Sequence, residues 1–176
     1  SHYENSVLRI EGYASDPDEW DDGVISHEFG HFVYDYLTSD TTFPGAYGAH
    51  YLDTPTVTSN AIAGNMAWSE GWAHFYACAV LDASSYVDKN DGTTNSYEFE
   101  TIGDIKGPII EQVVAAVLLD MMDSSNDGAD SDAVTVSFSR IASVVKNFDP
   151  NSNSSSHDNI WSFVEFWTGW KTQDGN

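Results

Sequence analysis

One short run of the chain carries residue types at a spacing that can do hydrolytic chemistry: His27, Glu28 and His31, in His27-Glu28-Phe29-Gly30-His31. In a helix, residues four apart share one face. Both imidazoles can then reach a single ion at about 2.0–2.1 Å, the length of a zinc–nitrogen bond. Glu28 points aside and can reach a water on that ion. Zinc lowers the pKa of bound water to about 7, so Glu28 suits the general base that takes the proton and passes it to a leaving amine. The ion would polarise the attacked carbonyl and hold the oxyanion.

A catalytic zinc uses a third protein ligand and keeps one position open. Glu70, in Trp68-Ser69-Glu70-Gly71-Trp72-Ala73-His74-Phe75, is the candidate. It is a lone acid in an apolar, small-residue stretch, and a carboxylate buried there is costly unless paired or metal-bound. A carboxylate hydrogen-bonded in the core is the competing reading. His74, four residues on, shares its face. It could be a ligand itself, but a supporting role beside a ligand is preferred.

These residues need helices to hold them. Asp21 or Asp22 can cap a helix over about Val24 to Leu37, whose apolar residues follow helical spacing. Thr41 to Ser59 reads as a long loop, a length that usually signals function. A second helix is expected over Ala61 to Ala83, dense in small residues that allow close packing. Residues 7–13 read as one short strand, and 88–100 as polar chain with a turn at Asn90-Asp91-Gly92. Pro108 suits the first turn of a third helix reaching Met122, apolar nearly all round and so buried. Glu111 falls in that first turn, where its charge meets the helix dipole. Helices are also expected over Ser137 to Asn147 and Asn159 to Trp170. The fold class is mainly α with minor β, in a single domain spanning 1–176.

Two stretches resemble a known family. His27 to Tyr36 resembles the thermolysin pattern His-Glu-x-x-His-x-x-x-Asp-Tyr, and Ser69 to Phe75 resembles the fungalysin motif Gly-Glu-Gly-Trp-Ser-Asp-Phe. Ile110 to Asp120 is similar to a fungalysin helix downstream of that motif. The resemblance is to the gluzincins, and it implies a zincin-like catalytic domain with an active-site helix and a glutamate helix. It implies His27, His31 and Glu70 as zinc ligands, Glu28 as base and Asp35 as a support behind the active-site helix. It also implies a Tyr or His that steadies the oxyanion, for which His50, Tyr51 and His157 are candidates, with Tyr47 and Tyr76 beside them. The chain departs from the family in three ways. His74 stands where the motif has Asp, the separation of His31 and Glu70 is wider than in thermolysin, and most of the upstream sheet is absent. A secreted zinc peptidase, an endopeptidase in preference to an exopeptidase, is the expectation.

Acidic residues outnumber basic ones 28 to 6, for a net charge of −22. Such a surface repels nucleic acid and anionic lipid, and favours metal ions and cationic partners. A peptide or protein substrate is the expected partner. No run is long and apolar enough to insert in a membrane. Cys78 lies in an apolar run and reads as a buried thiol. Asp123, Ser125, Asp127 and Asp130 resemble the opening of a Ca2+ loop, but Val134 stands where its bidentate Glu belongs, and a solvated acidic loop is the preferred reading. Two alternatives to the peptidase are open: a zinc-stabilised domain without activity, and an acidic helical domain without zinc.

Overall fold

The computed structural model describes residues 1–4, 6–38, 60–90, 92–100, 107–122, 135–150, 160 and 162–174. Among them five helices and two small antiparallel sheets form a mainly α architecture. Helix α1 (Asp22–Thr38) is capped by Asp21, whose Oδ1 accepts the Gly23 amide at 3.0 Å. The other oxygen of Asp21 accepts the Lys89 amide at 3.0 Å and so ties the start of α1 to a hairpin.

Helix α2 (Asn60–Leu81) is buried on nearly every described side and lies against α1 on one flank and α3 (Glu111–Met122) on another. Its small residues make this possible. A Cβ on Gly71 would stand 2.6 Å from Val114 Cβ and 2.8 Å from the Glu111 carbonyl oxygen. On α1, a Cβ on Gly30 would stand 3.0 Å from both Ala73 Cα and Tyr76 Cβ. The Trp72 indole N–H donates to the Gly30 carbonyl at 3.0 Å, which pins this crossing. Helices α4 (Phe138–Asn147) and α5 (Phe163–Asp174) complete the core, where Trp68, Trp72, Phe75, Leu118, Ile141 and Phe166 are fully buried. Trp68 stacks on Phe166 with centroids 5.2 Å apart, and the Tyr34 hydroxyl donates to the Ile160 carbonyl.

The structure differs from expectation mostly at element ends and in the strands. Residues 7–13 are not one strand. Strands β1 (His2–Glu4) and β2 (Val7–Arg9) form a hairpin, with Ser6 at a φ of 61° in its turn. The polar stretch is a second hairpin, β3 (Ser85–Asn90) with β4 (Thr93–Glu98), in which Tyr86 pairs with Tyr97. Helix α3 starts later than expected, because Gly107 takes a φ of 122° and a turn follows it. Helix α5 also starts later. Ser162 Oγ accepts the Glu165 amide at 3.3 Å and donates to its carboxylate at 3.0 Å, a side-chain N-cap that sets the start. Among the described residues no helix is long and apolar enough to cross a membrane.

Candidate metal centre

The crossing of α1 and α2 brings His27, His31 and Glu70 together. Glu70 Oε2 lies 3.2 Å from His27 Nε2 and 3.5 Å from His31 Nε2. One ligand atom of each residue falls within 4.8 Å of the other two. Four bonds of about 2.0–2.1 Å in a tetrahedron put neighbouring ligand atoms about 3.3 Å apart. The separations of 3.2 and 3.5 Å straddle that edge. Two imidazoles and one carboxylate are also the donor set zinc takes in hydrolytic sites, so the residues fit the ion.

The electrostatics agree with the geometry. Burial alone would raise the Glu70 pKa, but the charge of His31 and hydrogen bonds from His27 and His31 outweigh it and hold the carboxyl well below its ordinary range. His31 and Glu70 retain 17% and 19% of their side-chain exposure, against 9% for His27. His27 is thus the most enclosed of the three.

Other side chains pack against this group. Ser69 Oγ sits 3.3 Å from His31 Nδ1. His74 Nδ1 sits 3.1 Å from His27 Nδ1, so His74 stands behind the His27 ring on the side away from Glu70. Tyr86 packs on both rings, with centroids 5.5 Å from His27 and 4.6 Å from His74. Phe99 closes over His74 at 5.7 Å. Burial, with the charges of Asp88, Asp21 and Glu28 behind it, pushes the Tyr86 hydroxyl far up, so it stays protonated. Glu28 is buried, at 7% exposure.

Ser69, Tyr86 and Phe99 were not singled out from the sequence. Ser69 offered a signal, since it directly precedes Glu70. Phe99 lies in the stretch 88–100 read as polar, and Tyr86 just before it, where the hairpin register sets it opposite Tyr97. Asp35 accepts the Tyr3 hydroxyl at 2.6 Å and so fastens the first hairpin to α1. Tyr76 lies beside Phe29 and Phe138, with burial raising its hydroxyl pKa. His50, Tyr51 and His157 lie outside the described residues, as does the calcium-like stretch with Asp123, Ser125, Asp127 and Asp130. A separate group of carboxylates, Asp16, Asp18 and Asp88, has oxygens within 4.8 Å of one another. Asp18 there accepts from the Ser1 nitrogen at 2.8 Å and from its hydroxyl at 2.6 Å.

Comparison with known proteins adds a family and one relative. A protein described as uncharacterized, from Archaeoglobus fulgidus, is 34% identical over 108 residues, which cover 60% of this chain and 28% of the relative. The match thus spans little more than a quarter of that relative's length. No solved structure matches. Residues 6–176 match the family described as the Mycolysin C-terminal domain. Where the resemblance implied a catalytic domain, that description names a C-terminal one. With nearly its whole length matched, the chain belongs to the Mycolysin C-terminal domain family, a domain found in thermolysin-like peptidases.

Proposed function

We propose that the domain holds zinc on His27, His31 and Glu70 and hydrolyses peptide bonds, with Glu28 as general base. The observation that carries this reading is the convergence of the three candidate ligand atoms, with Glu70 Oε2 3.2 and 3.5 Å from the two imidazole nitrogens, and with Glu28 next to His27 in sequence. Zinc held there supplies Lewis acidity, lowering the pKa of a coordinated water toward about 7 and polarising a carbonyl. The chain supplies the rest. Glu28 takes a proton from the attacking water and delivers it to the leaving amine. His74 and Ser69 fix the planes of the two imidazoles, and Tyr86 keeps bulk water from the back of His27. The substrate is a peptide or protein, and the peptidase association of the family supports an extracellular setting.

A second reading has its own observation. The matched family is described as a C-terminal domain, and that supports a domain that accompanies a peptidase without cutting, with zinc, if held, in a structural role. One experiment separates the two. Glu28→Gln keeps the ligand set and removes the base. On the first reading it retains one zinc per chain by metal analysis and loses about 10²–10⁴-fold in peptide hydrolysis. Hydrolysis at the parent rate rejects Glu28 as base. Zinc bound by the parent, with no cleavage of a peptide library and no effect of chelator on it, establishes the second reading.

A further inference from the structure

We propose that Glu111 is a positioning residue for this metal centre, acting through His74 on His27. The inference rests on the zinc reading above and extends it to a third helix. His27 is on α1, His74 on α2 and Glu111 on α3. His27 Nδ1 faces His74 Nδ1 at 3.1 Å, a hydrogen-bond distance, and His74 Nε2 faces Glu111 Oε2 at 3.8 Å, an electrostatic contact longer than a hydrogen bond. All three residues are buried, with 7%, 4% and 3% exposure.

The proton count gives this line a direction. A neutral imidazole carries one proton. With Nε2 of His27 turned to a metal, its proton is on Nδ1 and points at His74. His74 must then accept on its own Nδ1 and carry its proton on Nε2, the nitrogen that faces Glu111. The Glu111 charge favours that tautomer, which in turn holds the His27 ring and raises its basicity toward the ion. The wrong tautomer of His74 would set two N–H groups against each other at 3.1 Å.

The helix dipole does not account for Glu111 by itself. A first-turn glutamate serves the dipole equally well from the surface, yet this one is turned inward, where a carboxylate is costly without a charge or donor to meet. The departure from the fungalysin-like motif fits as well. Where that motif has Asp, this chain has His74, and the negative charge sits one side chain further back. Close approach at Gly71, whose missing Cβ makes room for the Glu111 backbone, brings α3 near enough. Tyr86 and Phe99 hold the His74 ring between them at 4.6 and 5.7 Å.

The test is zinc affinity of the full chain, by competition with a chromophoric chelator, together with the visible spectrum of the Co2+ form. Glu111→Gln keeps shape and drops the charge, and a loss of about 10–100-fold in zinc affinity is expected, with a changed Co2+ band. His74→Asp combined with Glu111→Gln should restore affinity to within a few-fold of the parent, because the new carboxylate would accept the His27 proton directly. A merely structural role for Glu111 predicts no such rescue. Parent affinity and an unchanged spectrum in Glu111→Gln, or a double variant weaker than the single one, overturn the proposal. Should Glu111→Gln fail to fold, 15N spectra of the zinc-loaded parent decide: His74 protonated on Nε2 is required, and on Nδ1 overturns it. A parent that binds no zinc at all overturns the zinc reading as well.

Discussion

At the scale of single residues, the site divides into groups whose role follows from type and groups whose role follows only from place. Glu70 belongs to the first kind, as a lone acid among small and aromatic neighbours. Cys78 shows the same logic in a group with no part in the site. It is 2% exposed, and burial, with Glu98 and Glu100 adding repulsion, pushes its thiol up from 9.0 to about 12. A folded Cys78 therefore keeps its proton where the unfolded chain has lost it. Below pH 9 the two states bind the proton alike and nothing is lost. Above it the unfolded state holds fewer protons, so stability falls as pH rises toward the folded value. The slope is about 1.4 kcal/mol per pH unit once the unfolded thiol is fully ionised. Urea unfolding between pH 8 and 10.5 should show the parent losing about 1–2 kcal/mol more than Cys78→Ala over that range. Parallel curves for the two proteins would mean that the thiol ionises in the folded state and that burial does not protect it.

Among the elements, α2 decides the geometry of the site, because it carries Glu70 and His74 and touches both α1 and α3. Its approach to α3 is set at Gly71. Gly71→Ala places a methyl 2.8 Å from a backbone oxygen that no rotamer change can move. The helices must part, at a cost of about 1–3 kcal/mol. Since the parted helix carries Glu111, zinc affinity should fall along with the urea midpoint. Gly64→Ala is the control, for its nearest neighbour is an Ile109 methyl at 3.8 Å. Equal effects of the two substitutions would remove α2–α3 spacing from the explanation. The helices were readable in the sequence because their apolar residues recur at helical spacing and small residues mark α2 as buried. His27, His31 and Glu70 were readable for the same reason, as a helical face and a misplaced acid. The hairpins were not. Ser85 to Glu98 is polar on both faces apart from Tyr86, Val87 and Tyr97, so alternation gives a weak signal. Glu111 was legible as a helix-start residue, but its contact with His74 depends on where two helices cross, and no local pattern reports that.

For the molecule as a whole, the interior and the surface work against each other. The interior is a continuous aromatic and aliphatic core that joins α1 to α5. The chain also bears a net charge of −22 on 176 residues, with six Lys and Arg to offset 28 acids. Folding gathers those charges at shorter range than the unfolded chain does, so self-repulsion opposes the compact state. Exposed charges are screened over about 10 Å at 0.1 M salt and about 3 Å at 1 M. Salt should therefore stabilise this protein by screening alone. Relief of about 1–2 kcal/mol would raise Tm by about 2–8 °C for a domain of this size. The measurement is thermal unfolding in NaCl from 0.02 to 0.5 M at pH 7, repeated in KCl. The two salts should act alike, because screening depends on ionic strength and not on which monovalent cation supplies it. Most of the rise should come at the low end, where the screening length changes fastest. A flat or falling Tm would show that the acidic side chains are spaced widely enough, or met closely enough by the few cations, for repulsion not to limit the fold.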